Sequence, residues 1–167
     1  VEEVVVATPT VDWENAYDLK ALNEHADAFF MMGYNYHHAY GDPGPNAPLV
    51  GGGIWPKWSL EFSVNDHLQE GVSPEKFILG LPLFGLHWPT TDNALPGTSV
   101  GTAESLSLAE VIQKAELTPT HWDAQTASPY TFPTETSQLW YDDVDSLLEK
   151  VRWSRQRELG GVGFWAL

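Results

Sequence analysis

The chain reads as an α/β protein built on a parallel sheet, and three observations carry that reading. Apolar or β-branched runs of strand length open at Val4, Phe29, Phe77 and Val162. Stretches of helical period separate them. A parallel pair of strands needs a long crossover, usually a helix, so this alternation favours parallel strands over hairpins. Four such strands suit a small open sheet. They equally suit half of an eight-stranded barrel, which takes about 250 residues when complete, against 167 here.

Val4–Thr8 is a minimal strand ended by Pro9. Asp12–Asn15 is a plausible helix start, with acidic residues near its first turn. Tyr17, Leu19, Leu22 and Ala26 then share a helical face, and the strand at Phe29 completes a βαβ unit. The stretch Phe29–His38 begins apolar and closes on Tyr34, Asn35, Tyr36 and His37. In parallel barrels the ends of strands carry the functional groups; a core strand running into an ordinary polar loop fits equally well. Tyr40–Ile54, with five Gly and three Pro, is a loop that Trp55 and Trp58 close. Leu60, Val64 and Leu68 place a helix over Ser59–Glu70, and Gly71 stops it. After a turn at Ser73–Lys76, Phe77–Phe84 is the third strand, with Pro82 near its end because Pro cannot donate to a ladder.

Residues 89–138 are rich in Thr, Ser, Pro and Ala. One helix interrupts them at Leu108–Glu116, and short strands fit within His121–Tyr130 and Thr136–Trp140. So long a stretch inside a compact domain is expected to be an inserted module or a lid. Asp142–Glu158 is an amphipathic helix, with Val144, Leu147, Leu148, Val151 and Trp153 at helical intervals and Gly160-Gly161 as its cap. Asp142-Asp143 most simply caps its start. Val162–Leu167 is the last strand.

The net charge of −15, from 8 basic and 23 acidic residues, argues against nucleic acid and anionic membranes as partners. Solubility is the simple account of the acidity. The absence of Cys excludes disulfides and Cys-based zinc sites and leaves the compartment open. There is no apolar run of 18 residues, and Val1-Glu2-Glu3 has no signal-peptide character. Neighbouring His37 and His38 point to opposite sides of a strand, and His87 and His121 add no ligand spacing, so neither a metal nor a cofactor is expected. Eight Trp residues supply either core or flat platforms for ring-shaped ligands.

Taken in order, several stretches resemble the family 18 glycoside hydrolases, the chitinase-like proteins. Phe29–His37 is similar to that family's sixth barrel strand and its Met-x-Tyr-Asp motif. Gly44–Leu49 resembles the following loop, and Gly71–Pro82 the approach to strand seven. Trp122-Asp123 and Pro129-Tyr130 resemble the family's insertion, Tyr141–Asp143 the start of helix seven, and Gly160–Leu167 strand eight. The resemblance implies the C-terminal half of a TIM (β/α)8 barrel, about strands 5–8. Residues 1–88 and 139–167 would form the half-barrel. A small α+β insertion, residues 89–138, would lie between strand 7 and helix 7. The family's Asp-x-x-Asp-x-Asp-x-Glu string, which holds the acid, is absent, so the N-terminal half-barrel is an implied partner, from the same protein or another chain.

The implied chemistry is substrate-assisted, retaining hydrolysis of β-1,4-linked N-acetylated glycans, chitin or a peptidoglycan-like polymer, in an extracellular or cell-surface setting. Tyr34 matches the Tyr that donates to the substrate acetamide. Trp165 matches the Trp that floors the cleavage subsite, and Met32 the Met beneath it. Trp55 and Trp88 are further candidate sugar platforms, as are Trp58 and Trp122, with packing the alternative for each. Two positions depart from the pattern: Asn35 stands where the family has Asp, and Leu86 where it commonly has Arg. Losing that carboxylate removes electrostatic stabilisation of a charged transition state. The alternative to an enzyme segment is therefore a chitinase-like lectin, a non-catalytic carbohydrate-binding protein. This chain alone is expected to be inactive.

Overall fold

The computed structural model describes residues 3–166, arranged around two sheets. Its strands are β1 (Val5–Thr8), β2 (Ala28–Met32), β3 (Phe77–Pro82), β4 (Phe84–Pro89), β5 (Glu104–Ser107), β6 (Thr120–Asp123), β7 (Ser128–Thr134), β8 (Ser137–Trp140) and β9 (Gly161–Trp165). Its helices are α1 (Leu19–Asn23), α2 (Leu60–Gln69), α3 (Leu108–Ala115) and α4 (Val144–Gln156). The first sheet is parallel throughout, in the order β1-β2-β3-β9. The second runs β5-β4-β8-β7-β6 and is antiparallel. Val1, Glu2 and Leu167, which the sequence reading included, lie outside the described residues.

Strand alternation divides the parallel sheet into two unlike faces. Val6, Phe29, Met31, Leu79, Leu81 and their neighbours face one way. There Phe29, Met31, Leu79 and Leu81 are fully buried and join a core with Leu19 of α1, Leu60 and Val64 of α2, and Leu147 and Val151 of α4. Phe30, Met32, Ile78 and Trp165 face the other way. Phe30 lies across Gly80 and Gly163, where an added Cβ would stand 2.5 Å from its ring atoms. This second face is apolar yet only partly covered: Phe30, Met32 and Ile78 are half-buried and Val5 and Trp165 are exposed. Parallel sheets are ordinarily covered on both faces.

Two helices differ from the sequence expectation. The helix proposed from Asp12 starts only at Leu19, capped by Asp18, and has five residues. The Asp12 carboxylate instead accepts hydrogen bonds from the Ala16 and Tyr17 amides, and Asn15 sits at φ +49, which closes a turn rather than a helix. In α4 the fully enclosed residues are Ser146, Lys150 and Ser154. Val144 and Leu148, expected on the buried face, are exposed. The cause is Asp142, which lies buried at the helix entrance and draws the Lys150 ammonium inward into a hydrogen-bonded ion pair. Asp143, not Asp142, is the N-cap, accepting from the Ser146 amide at 2.9 Å.

Phe84, read from sequence as the end of the third strand, opens β4 (Phe84–Pro89) of the second sheet, so residues 84–88 leave the half-barrel span expected for them. Leu106, Val111, Leu139 and Tyr141 form a small core between that sheet and α3. The opposite side is packed by the long loop after β2, whose Trp55 joins Leu86, Trp88 and Trp140. That loop has no strand or helix, as expected, but residues 43–49 are buried. Its backbone is paired accordingly: Leu49 N–H donates to Thr126 and the Pro48 carbonyl accepts from Leu60. Among the described residues no helix is long and apolar enough to cross a membrane.

Candidate functional site

The C-terminal ends of β2 and β9 open onto a cleft of about 820 Å³. Asn35, Tyr40, Phe84, Leu86, Ser105 and Trp165 are among its walls. Asn35 follows β2 with φ +62, a left-handed conformation that Asn tolerates better than most residues. It is held there from behind. Its amide donates to Asn46 Oδ1 at 2.8 Å, and the Asn46 carbonyl accepts the next amide, that of Tyr36, at 3.1 Å. Asn46 Nδ2 donates to the Phe84 carbonyl at 3.4 Å. One buried side chain thereby ties the end of β2 to the start of β4, the two walls of the cleft.

Tyr34 precedes Asn35, half-buried, with its ring edge-on to Phe84 at 5.8 Å. Burial pushes its phenol pKa up, so the hydroxyl keeps its proton near neutral pH. Tyr36 is different: its hydroxyl donates to Ser63 Oγ at 2.7 Å, and burial pushes its pKa further up. Trp165 ends β9 opposite Pro82, is 57% exposed, and is joined to Ala166 by a cis peptide. Met32 lies on the partly open face of the sheet, in register with Gly80.

Of the sequence candidates, then, Asn35 and Trp165 line one cleft, and Tyr34 and Met32 lie on the strand end leading into it. Trp88 and Trp55 do not offer the sugar platforms expected of them. Trp88 is 0% exposed and its indole N–H donates to the Gly41 carbonyl. Trp55 is 5% exposed, packs edge-on to Trp140 and donates to Asp123 Oδ2. Both have their faces consumed by the contact between the long loop and the second sheet. Leu86 is buried in that same cluster while forming part of the cleft wall.

The histidines serve separate local contacts. His37 Nδ1–H donates to the Asp42 carbonyl at 3.1 Å, its ring stands edge-on to Trp55, and burial pulls its pKa down. His67 bridges the Ser63 carbonyl and the Thr8 hydroxyl in the core, with its pKa again lowered chiefly by burial. His121 stacks on Tyr130. Among the described residues no three His, Cys, Asp or Glu side chains gather as a metal-holding group.

The sequence reading missed Asn46 and the Asp142–Lys150 pair. Asn46 sits in a Gly-Pro-rich loop, where an Asn looks like any turn residue. Lys150 falls at helical spacing among apolar neighbours, which was the available signal. Burial pushes the Asp142 carboxyl pKa up, and the Lys150 ammonium and Ser146 hydroxyl pull against that rise.

Comparison with known proteins places this geometry. Residues 3–167 match the glycosyl hydrolases family 18. A probable endochitinase of Caenorhabditis elegans is 29% identical over 190 residues, covering all of this chain and 30% of that protein. The solved structure of an immunomodulatory active chitinase from Trichuris suis superposes with a TM-score of 0.91 at 26% identity, over 98% of this chain and 50% of the other. A family 18 chitinase from Cycas revoluta, solved with (GlcNAc)3, superposes with a TM-score of 0.87 at 24% identity, over 98% of this chain and 51% of that one, a likeness of fold. The chain spans 30–42% of the length of six curated relatives and about half of the solved ones. It belongs to glycosyl hydrolase family 18, as an α/β portion of about half of that family's TIM barrel.

Proposed function

We propose that this chain supplies the N-acetylglucosamine-binding half of the cleft in a chitinase-like glycoside hydrolase. The parallel sheet corresponds to barrel strands 5–8, and the antiparallel sheet with α3 to an insertion between strand 7 and helix 7. The remaining half-barrel covers the apolar face that bears Phe30, Met32 and Ile78, and it brings the acid Glu. The assembled protein acts outside the cell or at its surface.

The observation that carries the reading is the cleft shared by Asn35 and Trp165, at the C-terminal ends of parallel strands. That is where active sites lie in barrels of this kind. An exposed indole offers a flat apolar face to one side of a pyranose ring, with Met32 beneath. Tyr34 keeps its proton and donates it, as a hydrogen bond, to the acetamide carbonyl. That bond holds the acetamide oxygen for attack on the anomeric carbon as the acid protonates the departing oxygen. Asn35 accepts a hydrogen bond from the acetamide N–H through its side-chain carbonyl, without the charge a carboxylate would add.

A second reading, a chitinase-like lectin, is favoured by Asn35 and Leu86. A neutral amide and a buried aliphatic side chain suit holding a sugar more than stabilising a cationic transition state. Both readings share the sugar contact, so one titration tests it. Trp165→Ala in the full-length protein is expected to weaken binding of a soluble chitin oligomer by about tenfold or more, the scale of a central aromatic contact. Calorimetry showing unchanged affinity would remove Trp165 from the subsite. Release of shorter oligomers by the wild-type protein then separates enzyme from lectin.

A further inference from the structure

Trp122 is an exposed aromatic residue that neither the core nor the cleft uses. It sits on β6, the edge strand of the second sheet, paired with Pro129. Its neighbour His121 stacks on Tyr130, and alternation turns Trp122 to the opposite side. Its indole is 42% exposed and borders a groove of about 500 Å³, on which Trp153, Asp145, Glu149, Arg152 and Gln156 of α4 also open. Those four polar residues are spaced 4, 3 and 4 apart, so they form one stripe on the helix. The stripe is distinct from the enclosed row Ser146, Lys150 and Ser154. Trp153 has the Arg157 guanidinium over its ring at 5.5 Å, which leaves Trp122 as the freer platform.

We propose that this groove is a second carbohydrate-binding site, separate from the Trp165 cleft, that holds one chain of a neutral glycan. The groove's composition selects that ligand class. A pyranose has an apolar C–H face and a rim of hydroxyls that both donate and accept. Trp122 meets the face, much as an indole meets any flat apolar ring. Asp145 and Glu149 accept from hydroxyls; Arg152 and Gln156 donate to hydroxyl or carbonyl oxygens. Two carboxylates against one guanidinium turn away an anionic ligand. The site lies on the helix-covered side of the parallel sheet, so a chain segment covering the bare face leaves it open. That the glycan is chitin rests on the function proposed above.

Two readouts on the full-length protein separate the two sites: retention on insoluble chitin and calorimetric affinity for a soluble chitin tetramer. Trp122→Ala is expected to lower retention about tenfold and to leave tetramer affinity unchanged, with Trp165→Ala doing the reverse to the tetramer. Should Trp122→Ala unfold the protein, the exposed pair Glu149→Gln and Arg152→Ala carries the test, with retention again reduced. Wild-type retention in folded Trp122→Ala, or in the Glu149/Arg152 variant, overturns the second site. Unchanged tetramer affinity in Trp165→Ala, with retention lost in Trp122→Ala, overturns the cleft reading and keeps the groove.

Discussion

Tyr34 and Tyr36 are two residues apart on the same strand exit, and their surroundings assign them different work. The Tyr36 hydroxyl is spent on Ser63 in the interior, whereas Tyr34 stands at the strand end beside the cleft residue Asn35. Tyr34→Phe is therefore expected to weaken chitin-oligomer binding by up to about tenfold, the net value of one hydrogen bond, with little change in stability. Tyr36→Phe should do the converse, costing about 1 kcal/mol of stability at unchanged affinity. Calorimetry and urea denaturation on the two variants check the split. At this scale the motif around Tyr34 was legible because its residue types and their order carry it. The indoles were not. Trp55, Trp88 and Trp165 are chemically identical, and only the folding of the long loop onto the second sheet buries the first two while the third stays open.

Among the elements, α4 shows where periodicity informs and where it misleads. Its existence and length follow from its pattern, and Asp143 and Ser146 form the capping box at its start. Its buried row does not follow, because a lysine is the residue that most reliably stays in water. Lys150 is enclosed only since Asp142 waits at the helix entrance. Removing one member of such a pair strands a buried charge. Lys150→Met is expected to cost about 3–5 kcal/mol in urea denaturation, and adding Asp142→Leu should recover most of it. If Lys150→Met proves neutral, the pair holds no charge worth compensating. The second sheet was less legible than the first. Its β4 follows β3 after Leu83 alone, so Phe84 reads as the end of the third strand although it opens a strand of the other sheet. In α1 the acidic start signal at Asp12 was consumed by a turn, which no count of apolar spacing reveals.

For the molecule as a whole, the unlike faces of the parallel sheet are the organising fact. The face packed by α1, α2 and α4 holds the buried core of Phe29, Met31, Leu79 and Leu81; the face with Phe30, Met32 and Ile78 is apolar and partly open. A complete barrel covers such a face, and the solved family 18 chains are about twice the span matched here. The alternation of elements pointed to this architecture, and the ordered motifs distinguished a half-barrel from a small open sheet, which four strands alone leave undecided. The cleft sits at the rim of the open face, so the sugar is expected to meet this chain there. The most direct test is a crystal structure of the full-length protein with a bound chitin tetramer. The expected result is a pyranose ring stacked on the Trp165 indole, with its acetamide carbonyl within hydrogen-bond distance of the Tyr34 hydroxyl. A tetramer bound elsewhere, with the Trp165 face empty, would contradict it.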